Sequence, residues 1–421
     1  MIPVRTALRV MPAAWFAIAV AGFSAWYATL IRSPEGYGTA ATAAASGALP
    51  FIAAFVAGSA AWEGSRLRRG DVWGGPWARA SFYIAFAALF WPVVAGLIAM
   101  TAATATRQLT VAAGAPNGSI LLVMALDIVA YAAVGFAIGV LTPPALAIPL
   151  AACLALLWLA FVPAMYPVWL RHLTGMFRDC CALGEAIAPE ALLASAALDL
   201  ALIGAAAVCC AVNASRIARG LSAAGILAVG ALIGVRFASG LTFAPVQPRD
   251  ATQLTCTGSG GIQVCLWPEH MSASEQITAA IADVRTRWLA SGIDAPALIT
   301  EGLGAATPAT LRIRINDTSR DGIVLAMATA RMPPFPECGH GTTGGVAFLY
   351  LRAWFAAAGG ASDPTLQALD AEGDDVNPNV LTVVDQLEKA TAAVKRTWVN
   401  NAEATAVRCD DESQPDLRVQ P

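Results

Sequence analysis

Along the first 244 positions, apolar residues gather into stretches long enough to cross about 30 Å of hydrocarbon, which takes roughly 17 to 25 helical residues. Seven such stretches predict membrane helices, near 11–31, 41–62, 81–104, 119–142, 145–169, 190–213 and 221–243. The second is the weakest, being rich in Ala, Gly and Thr. The fourth and fifth meet at Pro143-Pro144, a pair that cannot sit inside one helix and so predicts a tight hairpin between two. The first stretch lacks a small-residue cleavage site before the next, so it is expected to stay in the membrane as a signal anchor.

Beyond Ala244 the pattern shortens. Strands are expected near 252–256, 262–267 and 309–315, the last alternating from Leu311 through Arg312, Ile313 and Arg314 to Ile315. Helices are expected near 273–290, behind a Ser272-x-x-Glu275 capping box, and near 342–357, 364–371 and 379–399. The fold class is therefore an α-helical polytopic membrane domain of about seven transmembrane helices (1–244), followed by a small α+β extracytoplasmic domain (245–410) and a disordered tail (411–421).

Composition agrees: 57% of residues are hydrophobic and only 13% charged, where an ordinary soluble domain has about 25%. The charge is split. Thirteen Arg stand against eight acids up to Ala244, a balance of +5, and thirteen basic against twenty-one acidic residues follow, a balance of −8. An acidic C-terminal part argues against nucleic acid as a partner.

Basic residues near span ends stay on the cytoplasmic side. A cytoplasmic N-terminus puts Arg5, Arg9, Arg66, Arg68, Arg69, Arg79, Arg216 and Arg219 inside, against Arg32, Arg107, Arg171 and Arg178 outside. Seven spans then send the C-terminal domain out of the cytoplasm. Cys256, Cys265, Cys338 and Cys409 fit an oxidising compartment. Cys256 and Cys265 flank a Gly-rich turn as a hairpin staple would, so 256–265 with 338–409 is the preferred pairing of the three that four cysteines permit. Cys153, Cys209 and Cys210 are expected as small apolar packing residues; Cys180 and Cys181 fall in an outer loop where oxidation stays open.

The segment between the second and third spans runs from Trp62-Glu63 through Arg66, Arg68, Arg69-Gly70, Trp73, Pro76 and Trp77 to Arg79. It resembles permease subunits of type 2 ABC exporters, in which a Glu ending the second span precedes a basic-Gly turn, a short interfacial helix, a Pro and an Arg leading into the third span. Glu63, Arg69, Gly70, Pro76 and Arg79 match that order. The resemblance implies a coupling helix that docks on a separate cytosolic ATPase, and a homo- or heterodimer of permease subunits. The chain departs from the family's six-span core by a seventh span carrying an external domain. Read without the resemblance, the segment is a basic loop obeying the positive-inside rule, with Trp73 and Trp77 as interfacial anchors.

No Walker-type phosphate loop occurs, so ATP must come from a partner, and neither an enzymatic activity nor a cofactor is expected of this chain. Asp127, Asp199 and Arg236 lie inside predicted spans, where each costs about 2.5 to 3.5 kcal/mol near a bilayer centre, so they are expected to pair or face a wet cavity. Arg236 is expected to pair with Asp127 or Asp199, with separate snorkelling as the plainer alternative. Cys265-Leu266-Trp267-Pro268-Glu269-His270 resembles a Cys-x-x-Pro segment found just outside the membrane in some high-GC bacterial exporter permeases with external domains. His270, His340 and Glu269 or Glu337 offer ligands for a hydrolytic zinc, but no H-E-x-x-H helix is present and turn residues are the simpler reading, so no metal is expected. Gly339–Gly345 likewise reads as a turn with Thr342 or Thr343 as N-cap. The leading expectation is a permease-like ABC exporter subunit in the cell membrane; the alternative is a membrane-anchored sensor or binding protein with an external recognition domain.

Overall fold

The structure is a computed structural model that describes residues 12–33, 36–70, 81–112, 114–211, 215–259, 261–303, 309–333, 343–372 and 380–408. It divides into two compact units, Met1–Gln247 and Pro248–Pro421.

The first unit is built from α1 (Pro12–Thr29), α2 (Gly38–Ala45), α3 (Leu49–Arg69), α4 (Ser81–Thr110), α5 (Gly118–Leu141), α6 (Pro144–Phe161), α7 (Pro189–Cys209) and α8 (Arg216–Ala238). A 3-10 turn, Ser46–Ala48, joins α2 to α3 without a break. Among the described residues six helices are long and apolar enough to cross a membrane: Gly38–Arg69, Tyr83–Thr110, Gly118–Leu141, Pro144–Ala164, Pro189–Cys209 and Arg216–Ala238. The expected first span, α1, is apolar but shorter. Pro143 and Pro144 form the turn between α5 and α6, Pro144 opening α6, where a missing N–H costs nothing.

The stretch richest in small residues is the most enclosed. The apolar window of Gly38–Arg69 is 83% buried, against 22% for Arg216–Ala238. Small side chains allow helix backbones to approach closely, and the attraction then comes from packing rather than from excluding water. Gly135 and Gly139 of α5 sit against Ala57 and Ala61 of α3; a Cβ on Gly135 would lie 2.7 Å from the Ala57 Cα, and one on Gly139 2.9 Å from the Ala61 Cα. Across the same seam a Cβ on Gly64 would lie 2.5 Å from the Phe136 carbonyl oxygen. The Ser65 hydroxyl donates to the Gly139 carbonyl at 3.2 Å. α3 and α5 run parallel, with α4 antiparallel between their ends: Gln108 donates to the Gly38 carbonyl at 3.0 Å and the Thr42 hydroxyl at 2.9 Å. Asn117 caps α5 by accepting from Ser119 and Ile120 N–H.

Between α6 and α7 the chain turns inward instead of crossing the end of the bundle. Its 3-10 stretch Val168–Leu173 leads to Phe177, which is fully buried and donates its N–H to the Ser46 hydroxyl at 2.7 Å. Leu173 packs with Ala194, Leu198 and Ala238. The sequence placed residues up to 169 in a span; α6 ends at Phe161, because Pro163 and Pro167 follow it. β1 (Glu185–Ile187) pairs with β2 (Val246–Pro248).

The second unit holds a four-stranded sheet in the order β3 (Thr255–Ser259), β4 (Ile262–Leu266), β5 (Leu298–Thr300), β6 (Thr310–Arg312). β3 and β4 form an antiparallel hairpin with Cys256 opposite Cys265. β4, β5 and β6 are parallel, and α9 (Ser274–Ala290) supplies the crossover from β4 to β5 that parallel neighbours need. α10 (Arg320–Arg331), α11 (Thr343–Ala358), α12 (Asp363–Glu372), α13 (Val380–Lys389) and α14 (Ala392–Ala406) complete the unit. Trp288, Trp354, Phe355 and Leu351 anchor its core. The expected helix 379–399 is two helices, because Thr391 caps a new one with its hydroxyl. The expected capping box at Ser272 is not formed: Pro268–Ala273 is a 3-10 turn, which makes Ala273 the N-cap of α9. β5 and α10 were missed, the first for its brevity and the second for its flanking charges.

Candidate functional site

At one end of the bundle α3 runs on past its apolar stretch into the basic turn. Glu63 is 2% exposed, and its carboxylate lies 2.6 Å from the Arg66 guanidinium one turn ahead. Arg69 is stacked over the Trp62 ring at 5.7 Å, and Arg68 and Arg69 are exposed. Gly70 caps the helix, donating to the Arg66 carbonyl at 3.0 Å. The tight seat of Gly64 and Ser65 on α5 locks this end to the bundle. Pro76 and Arg79 lie outside the described residues.

Deep between α5 and α7, Asp127 and Asp199 are buried beside one another, 1% and 2% exposed. Gly175 of the inward segment covers Asp127: a Cβ there would collide with all three atoms of the Asp127 carboxyl group, and its backbone has φ +67°. The expected pairing of Arg236 with either aspartate is not formed. α8 meets α7 through Gly230 and Gly234, which face Ala194, Ala197 and Ala201. At about 100° per residue, Arg236 falls on the opposite side of α8, exposed and with no ion pair among the described residues. Tyr131, one turn beyond Asp127, lines an apolar cleft of about 330 Å³ with Ala57, Ala155, Trp158 and Leu198.

The inward segment carries its own buried polar groups. Arg171 is 5% exposed, forms an ion pair with Asp179 and lies 3.6 Å over the Phe243 ring. His172 donates from Nε2 to the Thr242 carbonyl at 2.7 Å, and burial holds its imidazole below the ordinary histidine pKa. Cys180 and Cys181, both buried, are bonded to each other. Sequence reasoning missed this segment's inward course, for which the prolines around 163–167 were the available signal.

In the second unit the expected Cys256–Cys265 bond is present, whereas Cys338 and Cys409 lie outside the described residues. Glu269 and His270 turn to different partners. Glu269 takes a two-pronged pair from Arg249, at 3.0 Å on each oxygen, while His270 Nδ1 lies 2.8 Å from Glu301. Glu301 also accepts the Trp267 N–H at 2.9 Å, so the conspicuous hexapeptide is a buried polar brace. No group of three or more His, Cys, Asp and Glu that could hold a metal occurs among the described residues; His340 and Glu337 lie outside them.

Residues 264–409 match a family model described as Domain of unknown function (DUF7224). The match covers most of the second unit and none of the first. No curated protein and no solved structure matches the chain.

Proposed function

We propose that this chain is a permease-like membrane subunit of an ABC-type exporter, energised by a separate cytosolic ATPase subunit that docks on residues 63–79. The N-terminus is cytoplasmic, α1 is the first of seven spans, and the second unit is extracytoplasmic. One observation carries the proposal: α3 joins the basic turn to the centre of the bundle as one unbroken helix, which would act as a lever. Glu63 and Arg66 stiffen its last turns, and the Gly64, Ala61 and Ala57 seam ties it to α5, the helix that bears Asp127. A push on Arg68 and Arg69 is therefore delivered to the carboxyl pair and to the segment above it, where a route across the bundle would open.

Charge and cysteine placement support the orientation. Arg66, Arg68, Arg69, Arg216 and Arg219 share one side of the threading, and both bonded cysteine pairs fall on the other. Purification of the full chain from its host membrane, with mass spectrometry of what accompanies it, tests the proposal. An ATPase subunit should accompany the native chain and be depleted from Glu63→Ala. Recovery of a signalling kinase or regulator without an ATPase would favour the membrane-anchored sensor instead.

A further inference from the structure

Between β6 and α10 the chain keeps a strict alternation. Leu311, Ile313 and Ile315 are buried in the core of the second unit, while Arg312, Arg314 and Asn316 line a cavity of about 610 Å³. One face of α10 forms another wall through Leu325, Ala326 and Thr329, and Arg352 of α11 closes the ring. Three of the thirteen basic side chains beyond Ala244 thus converge on one cavity, in a region with a balance of −8.

Two carboxylates border the same cavity, and both are engaged in local structure. Asp317 accepts the Ser319 N–H at 2.8 Å and hydroxyl at 2.6 Å. Asp321 accepts the Ser362 and Thr365 hydroxyls, which hold its carboxyl below the usual carboxylate range. Gly322 leaves room for this turn, since a Cβ there would lie 2.7 Å from the Asp317 Cβ. Arg312 has no hydrogen bond or ion pair with another described residue.

We propose that this cavity binds a small organic anion: a carboxylate or phosphate ester carrying a short apolar portion. Guanidinium groups grip such oxygens two at a time, and several converging on one cavity select an anionic head over a neutral one. Leu325 and Ala326 supply the surface for the apolar portion, and the volume lies in the range of small-molecule sites, about 300 to 1,000 Å³. The site belongs to the second unit and does not depend on what the helical unit transports.

The test is calorimetric titration of the full chain in detergent micelles with butyl phosphate and with hexanoate, using butylammonium as the cationic control. Saturable binding of at least one anion and none of the cation is expected. Arg312→Ala and Arg352→Ala should each weaken it about tenfold or more, and Arg312→Lys, which keeps the charge but loses the two-pronged grip, should weaken it less. Arg287→Ala, which removes an exposed guanidinium paired with Asp283 on α9, should leave it unchanged. Failure of both anions to bind, equal binding of butylammonium, or an equal loss in Arg287→Ala would overturn the site. Unliganded melting curves identify any variant that has lost its fold, and Arg314→Ala then replaces it. Displacement of butyl phosphate by nanodiscs containing phosphatidylglycerol, but not phosphatidylcholine alone, would identify the anion as a lipid headgroup; no displacement by either would identify a soluble one.

Discussion

Replacing Gly139 with Ala adds a single methyl group at a close approach of two helices. The new Cβ would lie 2.9 Å from both the Ala61 Cα and its carbonyl carbon, and closer still to the oxygen. Ordinary carbon contacts are about 3.5 to 4.0 Å, so α3 and α5 must part locally by about 1 Å. Overpacking of this kind costs roughly 1 to 3 kcal/mol. The parting also strains the 3.2 Å bond from Ser65 to the Gly139 carbonyl, worth about 1 kcal/mol. A gain of up to about 1 kcal/mol from replacing Gly within a helix works the other way. The net loss is therefore about 1 to 3 kcal/mol, or several degrees in apparent melting midpoint at roughly 2 to 4 °C per kcal/mol. The assay is thermal unfolding of the full chain in one detergent, with Gly225→Ala as control. Gly225 lies within α8 with nothing inside 4 Å of its added Cβ, so that change should be neutral or stabilising. If Gly139→Ala melted no lower than Gly225→Ala, the close seam, and the lever built on it, would be wrong.

Three further outcomes follow. His172 is held neutral by burial, so the unfolded chain takes up a proton there first as pH falls below about 6.5, and the contribution is complete above that value and lost toward the lower folded one. Hydrogen-exchange protection factors across 165–188, corrected for the intrinsic pH dependence of amide exchange, should fall between pH 7.5 and 5.5, and less so in His172→Phe. Glu301→Gln removes the buried carboxylate that holds both the Trp267 N–H and His270, and should cost the second unit about 1.5 to 3 kcal/mol in a denaturant titration. Loss of the Cys256–Cys265 link in Cys256→Ser with Cys265→Ser reopens a nine-residue separation and should cost about 2 to 3 kcal/mol in the same titration.

What the sequence revealed depended on range. The helices of the first unit were legible because each must carry a run of about twenty apolar residues, and their observed ends fall within about six positions of those runs except around 41–69 and 161–169. Helix α3 outlasts its apolar run because Glu63 is shielded by α5 and paired with Arg66, which hydropathy alone does not register. The partner of Asp127 was not legible. Asp127 and Asp199 are 72 positions apart, and only the inward course of residues 168–178 and the rotation of α8 decide that the carboxyl groups lie beside each other rather than beside Arg236. In the second unit the alternation at 311–315 signalled a strand, and the two Arg on its polar face became meaningful only when Arg352 arrived from α11.

The central claim is that the turn after α3 is where an ATPase applies force. A photo-crosslinking amino acid placed at Arg68, in cells making the full chain, tests it most directly. The proposal requires a covalent adduct with a subunit bearing a phosphate-loop ATPase sequence, formed from position 68 and absent when the same probe replaces Leu241 beyond the opposite end of α8. Adducts with that subunit from Leu241 but not from Arg68, or with no ATPase from either position, would contradict it.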